Sequence, residues 1–324
     1  MSHLNVWRDG DDLLVTWRGG SAATSVFVSD DPDDAGVDVR APDAPGRAVI
    51  SGVGPRRRYV HVFDPAGGFV VAAERAPLVE GAVNLRDVGG LPTADGGAVR
   101  WGRLWRSGRL DAVTDAGLEA LAALGITTVV DLRTPDEAAA APDRLPEGTT
   151  RLERPLSSDP SGLRTIGERI RRGEITRYGI DDLAAGYIRI LERCGPVVAE
   201  VAELLAADPG GVLVHCTAGK DRTGLVVMAL LSALGVPEPH VLDDYELSER
   251  HLPADRGRDV ERLLGEHGLD PAAFVALWSA PRRALEATLR AIERRWGGVH
   301  AYLDAHGIDA GMRGRLTAAM VRNP

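Results

Sequence analysis

The segment His215-Cys216-Thr217-Ala218-Gly219-Lys220-Asp221-Arg222-Thr223-Gly224 places a cysteine six positions before an arginine, with small residues between them. The strand-like run Val212 to Val214 leads in and the apolar run Leu225 to Leu234 leads out, so the pattern predicts strand, loop and helix. A cysteine there sits among backbone N–H groups at the positive end of a helix dipole, a setting that favours the nucleophilic thiolate. The same N–H groups, turned inward by a tight loop that Gly219 permits, form a nest for the oxygens of a phosphate. Arg222 completes it: a planar guanidinium holds two oxygens at once and grips the charge that spreads in the transition state. Nucleophile and anion clamp thus belong to one loop, and the chemistry they suit is phosphate-ester cleavage through a phosphocysteine.

Other readings of these residues are weaker. Gly219-Lys220 suggests a nucleotide-binding loop, but that motif needs Ser or Thr directly after the lysine, and Asp221 stands there. Cys194, the only other cysteine, reads as a buried structural thiol. Phosphate transfer to a thiolate also needs a proton donor for the leaving oxygen, and Asp131, at the end of the buried strand Ile126 to Leu132, is one candidate. It can equally tether Arg133 or a nearby backbone N–H. Arg86 is a further phosphate-binding candidate, with the alternative that Arg86 and Asp87 hold their own loop together.

His-Cys, five residues, Arg and then Ser or Thr resembles the signature of the cysteine-dependent tyrosine phosphatase superfamily. More narrowly, HCTAGKDRTG with Asn84-Leu85-Arg86-Asp87-Val88-Gly89-Gly90, Leu104-Trp105-Arg106-Ser107-Gly108 and Asp131-Leu132-Arg133 is similar, in motif order, to a bacterial tyrosine-phosphatase family over about residues 80 to 250. The resemblance implies Cys216 as nucleophile and Arg222 as clamp, with Thr223 bonding to the departing sulfur. It implies that His215 supports the loop, that Lys220 brings positive charge to its rim, and that Thr217, Ala218, Gly219 and Gly224 belong to the phosphate cradle. An Asp inside the loop is associated with proton transfer in that family, so Asp221 is preferred over Asp131. The basic stretch carrying Arg164, Arg169, Arg171, Arg172 and Arg177 corresponds in location to a helical lid. Neither cofactor nor metal is implied, and the histidines show no metal-ligand spacing. Phosphotyrosine proteins are the leading substrates, with phosphoserine and phosphothreonine beside them. The loop Ala-Gly-Lys-x-Arg-Thr-Gly also resembles that of phosphoinositide phosphatases, and a phosphate-recognition module with little turnover is the alternative of another class.

The elements that must position this loop fall into two regions. Leu13 to Trp17, Ser25 to Ser29, Arg47 to Ile50, Tyr59 to Phe63 and Phe69 to Ala73 are short β-rich runs bounded by Gly, Pro or Asp. Residues 1–79 therefore read as an all-β unit, and Trp17 with Tyr59 resembles the core pair of a fibronectin type III or immunoglobulin-like sandwich. A protein partner is the role such an accessory unit suggests. From about residue 80 the pattern changes to helices alternating with wholly apolar strands, so residues 80–324 read as an α/β domain with a mostly parallel, buried sheet. Thr114 is placed to cap a helix that Gly125 ends, the stretch Leu163 to Leu191 reads as two amphipathic helices, and the chain beyond Glu238 reads as mostly helical.

Composition sets the outer limits. A chain of 324 residues favours two domains. The net charge of -9 argues against general nucleic-acid binding, which needs clustered Lys and Arg on phosphates. No apolar run approaches the roughly 20 residues that span a bilayer. Met1 to Gly10 has neither the basic start nor the apolar core of a secretory signal, and two cysteines are few for a disulfide-stapled protein, so the expected compartment is the cytoplasm.

Overall fold

The computed structural model describes every residue except 1, 22–23, 37, 41, 55, 66–67, 159–165, 253–255 and 323–324. Seven strands come first: β1 Ser2–Asp9, β2 Asp12–Arg18, β3 Ser25–Ser29, β4 Asp38–Arg40, β5 Arg47–Ile50, β6 Tyr59–Asp64 and β7 Gly68–Ala73. They form two antiparallel sheets, ordered β1-β2-β5 and β4-β3-β6-β7. Alternate residues of β2, β3 and β5 face inward, as the period of a strand requires: Leu13, Val15 and Trp17 from one sheet meet Val26, Val28, Val60 and Val62 from the other. Trp17 and Tyr59 both lie in this core.

The second region contains β8 Arg86–Asp87, β9 Ala98–Val99, β10 Leu104–Ser107, α1 Asp115–Ala122, β11 Ile126–Asp131, α2 Pro135–Ala140, β12 Thr150–Glu153, α3 Ile166–Arg171, α4 Ile180–Ala207, β13 Gly211–His215 and α5 Asp221–Ala233. Helices follow to the end: α6 Glu238–Glu246, α7 Ser248–His251, α8 Arg256–Glu266, a 3₁₀ turn Pro271–Leu277, α9 Arg282–Trp296, α10 Val299–Ala305 and α11 Ala310–Met320, then β14 Val321–Arg322, which pairs with β9. The central sheet runs β12-β11-β13-β10-β8, with its first four strands parallel and β8 antiparallel. This is the α/β sheet flanked by helices that the apolar strands predict. Every residue of β13 is buried, because α4 and α5 pack against it and the neighbouring strands close its sides.

Local chemistry explains the boundaries. Thr114 accepts a hydrogen bond from the Gly117 N–H and starts α1, and Gly125, at φ +70°, turns the chain into β11. The stretch expected as two helices holds α3 and α4, with other bounds. α3 is a short helix beginning at Ile166, Leu163 and Arg164 lie outside the described residues, and α4 continues to Ala207 with Pro196 inside it. Burial of Leu191, Val198, Val201, Ala202 and Leu205 along one face carries α4 past the proline.

The two regions meet at a buried ion pair. Arg57 NH2 donates to Asp87 Oδ2 at 2.8 Å, and the Arg57 guanidinium lies over the rings of Tyr59, Trp101 and Trp105 at 5.0, 5.5 and 4.7 Å. Trp101 itself packs into the core of the β region. Among the described residues no helix is long and apolar enough to cross a membrane.

Candidate active site

β13 delivers Cys216 to the end of the parallel sheet, and the chain turns at once into α5 through residues 217–220. Gly219 has φ +66°, and a Cβ there would stand 2.3 Å from the Ser107 carbonyl oxygen, so only glycine lets the loop pass this close to β10. Three consecutive loop carbonyls are held from outside. Arg109 N donates to Thr217 O at 3.1 Å, Asn84 Nδ2 to Ala218 O at 3.0 Å, and Arg106 NH2 to Gly219 O at 2.8 Å. In a planar trans peptide the next N–H points opposite its carbonyl. Ala218, Gly219 and Lys220 therefore turn their N–H groups away from these donors, toward the cavity bordered by the loop.

The donors are themselves braced. Asp244 of α6 accepts from Arg86 Nε at 3.2 Å and from Arg106 NH1, and Arg86 NH1 donates to Asn84 Oδ1. All four side chains are buried. Burial acts to raise the Asp244 carboxyl, but the charges of Arg106, Arg86 and Arg75 outweigh it and hold it at about 2. Arg86, a phosphate-binding candidate in the sequence, is placed here behind the loop and does not line the cavity. Asn84 sits at φ 54°, a left-handed conformation that an asparagine tolerates best among residues with a side chain.

Cys216, Thr217, Ala218, Lys220, Asp221 and Arg222 line a cavity of about 390 Å³. Its far walls are largely apolar: Ile166 and Ile170 of α3, Leu183 and Ile190 of α4, and Val260 and Leu263 of α8. α3, the segment expected as a lid, thus borders the cavity and adds Arg171 to its rim. Arg222 NH1 donates to Glu137 Oε2 at 2.6 Å and NH2 to Glu137 Oε1 at 2.9 Å, with Thr217 Oγ1 donating to the same Oε1 at 2.7 Å. Burial works against the Arg222 charge, but the Glu137 bonds and the Cys216 and Asp221 charges override it and keep the guanidinium protonated. Burial likewise pushes the Glu137 carboxyl up, yet Arg222 and the Thr134 and Thr217 bonds bring it to about 2. The NH1–NH2 end of the arginine is thereby occupied, and NH2 also donates to Thr217 Oγ1 at 3.2 Å.

Glu137 was not singled out in the sequence, although its signal was present. Thr134-Pro135-Asp136-Glu137 is a capping box, in which Thr134 Oγ1 accepts from Glu137 N and Glu137 Oε2 accepts from Thr134 N at 2.9 Å. The cap fixes the carboxylate that meets Arg222.

The two acid candidates separate in space. Asp221 lines the cavity beside Cys216; Tyr187 OH donates to its Oδ1, and Lys220 Nζ lies 3.3 Å from that oxygen. Asp131 is 1% exposed and does not line the cavity. It accepts from Arg133 N and Nε at 2.9 Å each, from Arg133 NH2 at 2.8 Å and from Arg151 NH2 at 2.6 Å. Burial would raise its carboxyl, but these bonds and His215 hold it well below the usual carboxylate range. His215 Nε2 lies 3.3 Å from Asp143 Oδ2 and 3.6 Å from Asp131 Oδ1. These three groups have ligand atoms within 4.8 Å of one another, and Arg133 and Arg151 already balance the two carboxylates.

Lys220 also departs from expectation. It is fully buried, not at the rim, because Nζ donates to the carbonyls of Ala276, Leu277 and Ser279 at 3.0, 3.2 and 2.7 Å. Thr223 and Gly224 lie in the first turn of α5, buried behind the cradle. Thr223 Oγ1 has no hydrogen-bond partner among the described residues, and Gly224 leaves room for the ring of Tyr245.

A strand-end cysteine under a helix N-terminus, with an arginine six residues on, is the arrangement of a cysteine-dependent phosphatase. The model of the tyrosine phosphatase family matches residues 77–322, and the chain belongs to that family. A Cupriavidus necator protein whose name places it among tyrosine-protein phosphatases is 34% identical over 243 residues, covering 72% of this chain and 86% of its own. A tyrosine-protein phosphatase of Nostoc commune is 32% identical, with 63% and 69% covered. The triple specificity protein phosphatase PtpB of Mycobacterium tuberculosis is 32% identical over 277 residues, with 74% and 97% covered. The match to the solved structure of P. aeruginosa TpbA covers 54% of this chain at 17% identity with a TM-score of 0.26. The chain is thus a phosphatase enzyme of the protein-tyrosine phosphatase type.

Proposed function

We propose that this phosphatase works through a Cys216 phosphocysteine, with Arg222 as clamp and Asp221 as proton donor. The observation that carries the reading is that three consecutive loop carbonyls are held by Arg109, Asn84 and Arg106, which by peptide geometry turns the N–H groups of Ala218, Gly219 and Lys220 the other way and supports a cradle at Cys216. The Sγ thiolate attacks phosphorus, the bond to the leaving oxygen breaks, and that oxygen's electron pair takes the proton from Asp221. The dephosphorylated alcohol or phenol departs. Water then attacks the phosphocysteine while the Asp221 carboxylate takes its proton, the P–S bond breaks, and phosphate leaves with the thiolate restored. The buried Thr223 hydroxyl, without a hydrogen-bond partner among the described residues, is supplied for the sulfur that carries this returning charge. The N–H groups and Arg222 stabilise the charge on the three phosphoryl oxygens in both steps.

The leaving group meets apolar walls, which suits an aryl ester of the phosphotyrosine kind, and phosphoserine and phosphothreonine reach the same cradle with fewer wall contacts. A phosphoinositide with further phosphates is the poorer fit, because the Lys220 ammonium is committed to three carbonyls and, among the described residues, Arg171 is the cation added at the rim. The strand orders β1-β2-β5 and β4-β3-β6-β7, with the Trp17 core, support a fibronectin type III-like accessory unit over residues 1–79. The remainder, 80–324, is then the catalytic domain.

Hydrolysis of a phosphotyrosine peptide, a phosphoserine peptide and phosphoinositides, without added metal, tests the assignment. Wild type should favour the phosphotyrosine peptide and Cys216→Ser should lose more than about a hundredfold in rate, about 2.7 kcal/mol. A Cys216→Ser variant that turns over at the wild-type rate would overturn the phosphocysteine mechanism.

A further inference from the structure

Asp221 opens α5 at the cavity, with its side chain 29% exposed. Two buried phenols restrain it. Tyr187 OH, from α4, donates to Asp221 Oδ1, and Tyr245 OH, from α6, lies 2.8 Å from Tyr187 OH. Each tyrosine is 1% exposed, and their rings meet edge to face at 82° with centroids 6.3 Å apart. A phenol has one proton to donate. Tyr187 spends it on the carboxylate, so Tyr245 donates to the Tyr187 oxygen, and the two hydroxyls form a directed chain that ends on Oδ1. Lys220 Nζ lies 3.3 Å from the same Oδ1.

We propose that Tyr187 and Tyr245 are positioning residues for proton transfer: by fixing Oδ1 they present Asp221 Oδ2 to the leaving oxygen. The inference rests on Asp221 being the proton donor. Both phenols serve as donors throughout the working range of pH, since burial and the Asp221 charge raise their ionisation well above that of a free tyrosine. Gly224 belongs to the same device. A Cβ there would lie 3.2 Å from the Tyr245 ring, tighter than ordinary contact, so the glycine lets Tyr245 close on the loop. An apolar packing role would need the rings alone. The hydroxyls, placed in line on one carboxylate oxygen, are what such a role leaves without purpose.

The test uses the whole chain with Tyr187→Phe, Tyr245→Phe and Asp221→Asn, singly and in the two pairs with Asp221→Asn. Tyr→Phe keeps the ring and removes only the hydroxyl. With a phosphotyrosine peptide, Tyr187→Phe should lower kcat about tenfold and Tyr245→Phe about threefold, with KM within about twofold. With p-nitrophenyl phosphate, whose leaving group needs little protonation, both should stay within about threefold of wild type. In the Asp221→Asn background neither tyrosine change should cost more than about twofold, because the group it positions no longer carries the proton. Equal losses on both substrates, or the same loss with and without Asp221, would overturn the positioning role. If Asp221→Asn itself shows no leaving-group dependence, the proton-donor assignment has failed instead, and the positioning role falls with it.

Discussion

Arg222 lies end-on against Glu137, NH1 to Oε2 at 2.6 Å and NH2 to Oε1 at 2.9 Å, so its guanidinium is oriented by a carboxylate from a separate helix. Glu137→Gln keeps the size of the side chain and removes its charge. It should lower kcat on p-nitrophenyl phosphate by about tenfold or more, a barrier change of about 1.4 kcal/mol, with a smaller change in KM. A kcat equal to wild type would show that Arg222 finds its position without Glu137.

Asp221 and Asp131 should part in their substrate dependence. Asp221→Asn should slow a phosphopeptide far more than p-nitrophenyl phosphate, because protonation matters most for a poor leaving group. Asp131→Asn, at a carboxylate shared by Arg133 and Arg151 behind the site, should slow both about equally and lower the thermal midpoint. Exchange of the two patterns would move the proton donor to Asp131.

How far the sequence foretold this site depends on how local each feature is. The strand, the cysteine, the arginine and the helix behind them lie within one short stretch, and their spacing alone carries the cradle. Ser25–Ser29 and Arg47–Ile50 were legible for the same reason, as alternating β-rich runs between turn residues. β1 does not show in the sequence because Trp7 points to solvent out of step with Leu4 and Val6, and β4 does not because its three residues are all exposed. Motif position and charge mark Lys220 and Arg86 as phosphate contacts in the sequence, whereas their burial is set by segments far along the chain. Carbonyls at Ala276 to Ser279 take Lys220, and Asp244 takes Arg86. Glu137 shows the reverse: its capping box was legible, but its second partner lies 85 residues away.

The Asp244 hub should be a stability determinant. Asp244→Ala leaves Arg86 and Arg106 buried without their shared carboxylate, and loss of one partner of a buried pair costs about 3–5 kcal/mol. Chemical denaturation should show a loss of this size, together with weaker vanadate binding, since Arg106 and Asn84 then no longer hold Gly219 O and Ala218 O. An unchanged midpoint would contradict the brace.

Acid should unfold the protein through the same groups. Glu137 and Asp244 have carboxyls at about 2 in the fold against ordinary values of 4.5 and 3.8, so both are depressed. Their stabilisation is complete above the ordinary values and is lost as pH falls through the folded ones. The thermal midpoint should therefore decline between about pH 4.5 and pH 2, and Asp244→Asn should flatten part of that decline. A midpoint unchanged across this window would show that neither pair holds in solution.

The covalent step is the core of the account, and Cys216 can be asked directly. Acid-quenching the reaction with a phosphotyrosine peptide in its first turnovers, followed by mass spectrometry of the proteolysed enzyme, should find one phosphoryl group on the peptide that contains Cys216. Cys194 should stay unmodified, since burial removes it from solvent and pushes its thiol up to about 12. Turnover at the wild-type rate with no phosphoryl group on Cys216 at any quench time would contradict the phosphocysteine mechanism.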